Sequence, residues 1–150
     1  MIYVLYGQPA SGKTTLGALL AKHLDTPFVI DGDEFREMFA NKNYSREGRE
    51  ENIRNANAVA TYLTKLDCWW FQTKKPPSVI ISLVNPYESL RNELFNNVGH
   101  IVEILLTSDR GLRKEHHVKN FEEGSPNFRL DTDQEVEDSW NQLKRLLKIK

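Results

Sequence analysis

The chain has 150 residues, with 20 basic and 21 acidic side chains and a formal net charge of −1. This length is typical of one compact unit, so residues 1–150 are predicted to form a single domain. The near balance of charge argues against general attraction to nucleic acid or to an anionic membrane surface. No secretory leader is expected, and no apolar run reaches the ~20 residues that span a membrane. Cys68 is the only cysteine, so it cannot form an internal disulfide, and it is interpreted as a buried apolar residue. A cytoplasmic location is therefore expected.

The predicted elements alternate between strands, from β-branched and aromatic runs, and helices, from apolar spacing and caps. In chain order they are a strand at 2–6, a helix at 13–24, a strand at 28–30, a helix at 31–39, a helix at 47–66, a strand at 79–84, a helix at 87–95, a strand at 101–106, and a helix that a capping box at 132–135 opens and that runs through residue 147. This order favours an α/β fold with a parallel sheet covered by helices on both faces. The charged, aperiodic segment 109–128 is predicted to be a mobile lid.

A glycine-rich motif links the first strand to the first helix. Residues 7–14 follow the pattern G-x-x-x-x-G-K-[ST], in which backbone N–H groups surround phosphates, Lys13 reaches the β and γ oxygens, and the Thr14 hydroxyl binds Mg²⁺. The alternative is a chance glycine turn, which the strand-to-helix context disfavours. We therefore predict that Mg·ATP binds through this P-loop and the residue after it, namely Gly7, Gln8, Pro9, Ala10, Ser11, Gly12, Lys13, Thr14 and Thr15.

Two carboxylates separated by one glycine follow the second strand, at the sheet edge where ligands bind in open α/β folds. Asp31 is predicted to bind Mg²⁺ together with Thr14, and Asp33 to accept a hydroxyl proton, so the predicted catalytic residues are Lys13, Asp31 and Asp33. The alternative is that Asp33 only caps its helix while Asp31 fills a turn. Arg36 shares a helix face with Asp33 and could bind an anionic acceptor.

Two polar residues head the apolar stripe of the long predicted helix. Arg49 and Asn52 fall on the same side as the apolar residues Ile53, Ala56, Ala60 and Leu63. Polar side chains in this place need partners. The alternative for Arg49 is that it extends from the first turn into solvent.

In these motifs the sequence resembles the adenylylsulfate kinases. The matching segments are the P-loop, Asp31-Gly32-Asp33-x-x-Arg36, Tyr44-Ser45, Arg49-x-x-Asn52-Ile53-Arg54 and Asn85-Pro86-Tyr87. The resemblance implies a three-layer P-loop NTPase fold, similar to nucleoside monophosphate kinases. It also implies sulfate activation: transfer of the γ-phosphoryl group of ATP to the 3′-hydroxyl of adenosine 5′-phosphosulfate, which gives 3′-phosphoadenosine 5′-phosphosulfate.

The resemblance also implies roles for individual residues. Asp33 would face the acceptor hydroxyl, and Tyr44, where the family usually has Phe, would stack on adenine. The phosphosulfate end would be bound by Arg36, Arg49 and Asn52. Asn85 stands where the family usually has serine, so a route through phosphoserine is not available and direct transfer is expected.

The predicted lid departs from the family pattern. Val118-Lys119-Asn120-Phe121 stands for the family's Lys-Gly-Leu-Tyr, or Lys119-x-Phe121 stands for its Phe-Thr-Gly, and either register makes Lys119 and Phe121 substrate-binding residues. The lid cations that could act on the transferring phosphoryl group are Arg110, Arg113, Lys114 and Lys119. His116 and His117 are interpreted as loop residues or lid contacts, because they lack the spacing of a metal site.

Two other functions are compatible with part of this pattern. Another small P-loop kinase, acting on a nucleotide, a sugar or a polynucleotide 5′ end, would share the residues up to Asp33. The motif Arg49-x-x-Asn52-Ile53-Arg54 distinguishes the adenylylsulfate kinases from such a kinase. A regulatory module that binds ATP without phosphorylating an acceptor would not need a carboxylate aimed at a hydroxyl. The expected partner is a small nucleotide substrate, without nucleic acid or membrane, and a homodimer is left open.

Overall fold

The computed structural model describes residues 1–66, 76–111 and 113–150. Its elements are β1 (Ile2–Tyr6), α1 (Lys13–His23), β2 (Val29–Asp31), α2 (Gly32–Met38), α3 (Arg46–Thr64), β3 (Val79–Ser82), α4 (Glu88–Val98), β4 (Ile101–Thr107), a 3₁₀ turn (Lys114–His116), β5 (Phe128–Asp131) and α5 (Val136–Leu147). The prediction for Cys68 lies outside the described residues.

The five strands form one parallel sheet in the order β2-β3-β1-β4-β5. Side chains alternate between the two faces of a strand, and β1 is buried on both. Ile2 and Val4 pack into a core shared with α2, α3 and α4. Leu5 packs into a second core shared with α1 and α5. The predicted three-layer α/β fold is thus confirmed.

The parallel arrangement brings the carboxyl ends of all five strands to one edge of the sheet, where open α/β folds bind ligands. The P-loop follows β1 at this edge, and its first residue must be glycine. A Cβ on Gly7 would lie 2.3 Å from the Leu106 carbonyl oxygen. The loop therefore lies directly against the end of β4.

The fifth strand and the start of the last helix differ from the sequence prediction. β5 was not predicted, because Phe128–Asp131 alternates apolar and polar residues over only four positions and directly follows a segment read as loop. The predicted capping box is wrong: the N-cap of α5 is Glu135, and its side chain makes no capping bond. The Thr132 hydroxyl instead lies 2.9 Å from the Ser11 carbonyl oxygen and 3.1 Å from that of Thr107. Thr132 thereby joins the P-loop to β4.

Among the helices in the described ranges, we find none with both the length and the apolar character required to cross a bilayer.

Candidate active site

A cavity of about 740 Å³ lies at the carboxyl edge of the sheet. Its walls come from the P-loop, α2, the start of α3, the turn after β3, and the segment around residues 110–118. The predicted site residues among its lining are Pro9, Ala10, Gly12, Lys13, Thr14, Thr15, Asp31, Asp33, Arg36, Tyr44, Arg49 and Asn52. The structure therefore brings six of the nine predicted ATP-binding residues and five of the seven predicted substrate-binding residues to one cavity, and Gly7, Gln8 and Ser11 of the P-loop do not line it.

The P-loop backbone has the form of an anion-binding site. Gly12 is the N-cap of α1 with φ of 91°, a left-handed conformation that glycine adopts without strain. No side chain of the described residues caps this helix. The first backbone N–H groups of α1, at the positive end of the helix dipole, are therefore left to bind phosphate oxygens.

Lys13 is buried in the loop, with 8% of its surface exposed. Its Nζ donates hydrogen bonds to the Gln8 carbonyl oxygen at 2.7 Å and to Ser11 Oγ at 3.2 Å. Burial lowers the pKa of Lys13 from its usual 10.5 to about 8, and the nearby carboxylates Asp33 and Asp31 oppose this shift. A phosphate group at the loop would stabilise the charged form of Lys13.

Thr14 and Asp31 form the second polar pair of the loop. Thr14 Oγ1 donates to Asp31 Oδ2 at 2.6 Å. Asp31 Oδ1 accepts from the backbone N–H groups of Asp33 and Glu34, so Asp31 is the N-cap of α2. The alternative in which Asp33 caps this helix is wrong, because α2 begins at Gly32, two residues earlier than a cap at Asp33 would require.

The Thr14 and Asp31 oxygens suit a hard cation such as Mg²⁺, which typically takes one or two carboxylates and completes its shell with substrate phosphates and water. Across the described residues, no three His, Cys, Asp or Glu side chains converge closely enough to hold a metal by themselves.

Asp33 extends from the first turn of α2 into the cavity, with 75% of its side chain exposed. Its Oδ2 lies 3.8 Å from a guanidinium nitrogen of Arg113. It makes no capping bond in α2. The carboxylate is therefore accessible to a ligand, and its neighbouring cation comes from the segment that covers the cavity.

Arg36 and Tyr44 are joined through the loop between α2 and α3. Arg36 Nη1 donates to the carbonyl oxygens of Asn41 and Asn43 and to Asn41 Oδ1, at 3.0 to 3.3 Å. Its guanidinium carbon lies 4.2 Å from the centre of the Tyr44 ring. Arg36 thus holds this loop and covers one face of Tyr44, a ring that is 60% exposed.

Asn52 and Arg49 lie on α3, facing the cavity. Asn52 is 4% exposed, and its Nδ2 donates to the Gly32 carbonyl oxygen at 3.2 Å. Its Oδ1 is buried and has no hydrogen-bond donor among the described residues. Arg49 is partly buried and lines the cavity. The two polar residues at the start of the apolar stripe of α3 therefore face the cavity, opposite the P-loop.

The segment from 109 to 128 contacts the P-loop. Gln8 Nε2 donates to the Val118 carbonyl oxygen at 2.9 Å, and the Val118 N–H donates to Gln8 Oε1 at 2.8 Å. Arg110 lies 3.5 Å from Asp133, and both Arg110 and Arg113 line the cavity. The segment is thus held across the opening by a pair of reciprocal hydrogen bonds.

Two residues predicted to bind substrate are placed elsewhere. Lys119 is exposed and does not line the cavity. Phe121 stacks on Tyr6 with 6.2 Å between ring centres, and it packs against the core on the α3 side of the sheet. The family pattern suggested both positions, but in this structure the Phe121 ring is occupied by core packing.

The family model for adenylylsulphate kinase matches residues 1–123. The chain belongs to the adenylylsulfate kinase family. It is 30% identical over 120 residues to an adenylyl-sulfate kinase of Gloeothece citriformis, a match that covers 77% of this chain and 63% of that protein. The chain thus spans less than two thirds of the length of this relative.

Solved structures share the fold of this family member. The APS kinase of Mycobacterium tuberculosis, in complex with AMPPNP and APS, superposes with a TM-score of 0.71 at 21% identity and covers 98% of this chain and 96% of its own. A gluconokinase of Sinorhizobium meliloti gives 0.69 at 16% identity, over 97% and 90% of the two chains. At these identities the likeness shows the fold alone, which small kinases with different acceptors share.

Two residues with a place in or behind the site were not assigned a binding role from the sequence of this adenylylsulfate kinase family member. Asn85 lines the cavity and is 1% exposed. Arg91 is equally buried, and its guanidinium lies 4.2 Å from the Tyr6 ring centre and within 3.9 Å of Glu103. Helical spacing could have found Arg91, because residues 87, 90, 91 and 94 follow the i, i+3, i+4, i+7 pattern of a core-facing stripe.

Proposed function

We propose that this chain transfers the γ-phosphoryl group of ATP to the 3′-hydroxyl of adenosine 5′-phosphosulfate. The products are ADP and 3′-phosphoadenosine 5′-phosphosulfate. The observation that carries the proposal is the single cavity that joins the P-loop lysine, Lys13, to the acceptor-side residues Arg49 and Asn52. Membership of the adenylylsulfate kinase family supports it.

The P-loop would bind the triphosphate. The free N–H groups at the start of α1 and the Lys13 ammonium are all donors, which suits phosphate oxygens. Thr14 and Asp31 would hold Mg²⁺, which when bound neutralises phosphate charge. Because Lys13 and the helix end are already in place, little rearrangement of the loop is needed at the moment of transfer.

Asp33 would orient the acceptor hydroxyl and take its proton. The hydroxyl oxygen forms a bond to the γ-phosphorus, the bond from that phosphorus to the bridging oxygen breaks, and ADP leaves with the electron pair. The proton passes to Asp33 and then to solvent. Arg113 would exchange its contact with Asp33 for the phosphoryl oxygens, where its charge favours the transition state.

The acceptor would lie between α2 and α3. The guanidinium of Arg49 can donate two parallel hydrogen bonds to an anionic oxygen pair, and Arg36 supplies a second positive charge. Tyr44 would stack on adenine through the ring face that Arg36 does not cover. A kinase for a neutral sugar would have little use for Arg49 here, and this distinguishes it from the proposed enzyme.

The proposal is tested by measuring acceptor and ATP affinities separately by calorimetry for the wild type and for Arg49→Lys. Lysine cannot reproduce the planar fork of arginine, so adenosine 5′-phosphosulfate should bind more weakly by about 1 to 3 kcal/mol while ATP affinity stays the same. The matched control is Arg54→Lys, further along α3, where the arginine is exposed and pairs with Glu50. The control should bind both ligands as the wild type does.

The absence of acceptor binding by the wild type, or equal binding by wild type and Arg49→Lys, would remove the sulfate-activation function. It would leave a P-loop kinase with another acceptor. A homodimer, a cytoplasmic location, and independence from nucleic acid and membranes stay predictions.

A further inference from the structure

A buried arginine lies behind the candidate site. Arg91 belongs to the core-facing stripe of α4 and is 1% exposed, at a position where an apolar side chain is usual. Its Nε lies 3.9 Å from Glu103 Oε1, which is an ion-pair distance and too long for a hydrogen bond. Burial of a guanidinium costs free energy unless a counter-charge and hydrogen bonds compensate for it. The contacts of Arg91 therefore indicate what this buried charge holds in place.

The hydrogen bonds of Arg91 join two separate parts of the chain. Nη1 donates to the carbonyl oxygen of Asn85 at 2.6 Å, and Nη2 donates to that of Glu122 at 2.6 Å. Both carbonyl groups belong to irregular segments, where no helix or strand supplies a donor. The guanidinium carbon lies 4.2 Å from the centre of the Tyr6 ring, and a Cβ on Gly124 would lie 2.9 Å from Nη2. The backbone around Glu122 is therefore packed directly against the Arg91 guanidinium.

Residues 121–124, which we call the anchor segment, also contact the Tyr6 side chain. The Tyr6 hydroxyl donates to the carbonyl oxygen of Glu123. The Tyr6 ring lies between two partners, since it stacks on Phe121 and also contacts the Arg91 guanidinium. The anchor segment is thus held by the end of β1 as well as by α4.

A third set of contacts ties the anchor segment to the start of α4. The Glu122 N–H donates to the Pro86 carbonyl oxygen at 2.9 Å, and Glu122 Oε2 accepts from the Glu88 N–H at 3.0 Å. The N-cap residue of this helix, Tyr87, makes no side-chain capping bond. The Glu122 carboxylate therefore takes the place of a cap, at the end of the helix where a negative charge is favourable.

The anchor segment is close along the chain to residues that cover the cavity. The covering segment, residues 113–118, contributes Arg113, His116 and Val118 to the cavity lining. Residues 113–116 are exposed, so the position of the covering segment depends strongly on how its ends are held. Three residues separate Val118 from Phe121, and a chain of this length spans at most about 10 Å. A fixed anchor segment therefore limits how far Val118 can move from the P-loop.

We propose that Arg91 is a positioning residue for phosphoryl transfer. Together with Tyr6 it fixes the anchor segment, and the anchor segment keeps the covering segment over the P-loop. Arg113 then stays near Asp33, and water is kept from the γ-phosphoryl group. The inference rests on the proposed function as a phosphotransferase, and not on the identity of the acceptor.

The reaction that the anchor suppresses is hydrolysis of ATP. The oxygen of a water molecule, in place of the acceptor hydroxyl, forms a bond to the γ-phosphorus, and the bond from that phosphorus to the bridging oxygen breaks. ADP leaves with the electron pair, and the other products are inorganic phosphate and one proton. A loosened covering segment admits water, so the share of ATP lost to hydrolysis measures how well the anchor works.

Two variants weaken the anchor to different degrees. Tyr6→Phe removes the hydroxyl hydrogen bond and keeps the ring that contacts Arg91 and Phe121. Arg91→Met removes both guanidinium hydrogen bonds and keeps an unbranched side chain. Because Arg91→Met also leaves Glu103 without its counter-charge, Tyr6→Phe is the decisive variant.

Two controls separate the anchor from a general loss of stability. Tyr3→Phe makes the same deletion on β1, at a ring that packs into the core on the α1 and α5 side of the sheet. Asn57→Ala removes a buried hydrogen bond from α3 to the Leu90 carbonyl oxygen of α4. It destabilises the same layer of the fold without removing a contact of the anchor segment.

Hydrogen exchange of the free protein is measured at the N–H groups of Glu122 and Val118, which donate to Pro86 and Gln8. We expect exchange at both amides to be about fivefold faster in Tyr6→Phe, because loss of one hydrogen bond favours local opening. Arg91→Met should exchange about tenfold faster or more, since it loses two. Both controls should exchange at these two amides as the wild type does.

The same variants are assayed with ATP labelled on its γ-phosphate, Mg²⁺ and adenosine 5′-phosphosulfate. The ratio of released inorganic phosphate to phosphorylated acceptor should rise about fivefold in Tyr6→Phe and further in Arg91→Met. A partly unfolded population loses hydrolysis and transfer in proportion. Asn57→Ala should therefore leave the ratio unchanged even where its total activity falls.

Equal exchange at Val118 in wild type and Tyr6→Phe would overturn the inference, whatever the acceptor. Faster exchange with an unchanged ratio would assign the anchor to the fold alone and would also overturn it. If the wild type does not phosphorylate adenosine 5′-phosphosulfate, the proposed acceptor fails, and phosphate release from ATP alone then decides the role of Arg91. Faster release by Tyr6→Phe and Arg91→Met than by Tyr3→Phe would support that role, and equal release would overturn it.

Discussion

Replacing Lys13 by methionine removes a buried ammonium from the P-loop and keeps an unbranched chain of similar length. A pKa of about 8 in place of the usual 10.5 means that the charged form of Lys13 costs the folded protein about 3 kcal/mol at neutral pH. Loss of the Nζ hydrogen bonds to Gln8 and Ser11 offsets about 1 kcal/mol of this. We therefore expect ligand-free Lys13→Met to be more stable than the wild type by about 2 kcal/mol at pH 7, and to have lost nearly all phosphotransfer.

The pH dependence of this difference follows from the same pKa. Because the folded pKa of Lys13 lies below its unfolded value, the unfolded state binds more protons between pH 8 and 10.5, and wild-type stability rises over this range. The advantage of Lys13→Met should thus be full below pH 8 and shrink above it.

Urea unfolding of wild type and Lys13→Met at several pH values measures the difference in their free energies of unfolding. At neutral pH the melting temperature of Lys13→Met should lie about 4 to 8 °C above that of the wild type. Lys22→Met, at an exposed lysine in the last turn of the same helix, is the control and should show no gain. A wild type as stable as Lys13→Met at pH 7, or a difference that does not change with pH, would refute the reasoning.

Three further changes test other parts of the site. Asp33→Asn should leave stability and ATP affinity unchanged, because Asp33 caps no helix, and should lower kcat about 10² to 10⁴-fold, with retained turnover in a coupled assay counting against a catalytic role. Thr14→Val removes the donor to Asp31, so its activity defect should be partly relieved by raising Mg²⁺ in a titration, and indifference to Mg²⁺ would argue against Thr14 as a ligand. Gln8→Leu removes both hydrogen bonds to Val118, so the Val118 amide should exchange with deuterium about tenfold faster, and unchanged exchange would show that other contacts hold the segment.

Much of the fold was predictable because its signals are local. The apolar runs of β1, β3 and β4 lie in consecutive residues, and the structure has all three strands. β5 was missed because its four residues acquire their strand character from pairing with β4, which is far away in sequence. The false capping box at Thr132 arose in the same way, since the partners of its hydroxyl are carbonyl groups on two other elements.

The residues of the candidate site were predictable where a motif fixes the backbone geometry. They were not predictable where tertiary packing decides the position of a side chain. The P-loop and the pair Asp31 and Asp33 reach the cavity, but local pattern could not show that Asp31, and not Asp33, caps α2. Phe121 was assigned by position within a divergent segment, and stacking on Tyr6 places it in the core.

The most direct test of the account is an acceptor screen with ATP labelled on its γ-phosphate. Adenosine 5′-phosphosulfate, other nucleotides, gluconate and a polynucleotide with a 5′-hydroxyl end are each incubated with the full chain and Mg²⁺, and the labelled products are separated. The account predicts that label transfers to adenosine 5′-phosphosulfate, appears at its 3′ position, and disappears with Lys13→Met. Transfer to one of the other acceptors but not to adenosine 5′-phosphosulfate would contradict it.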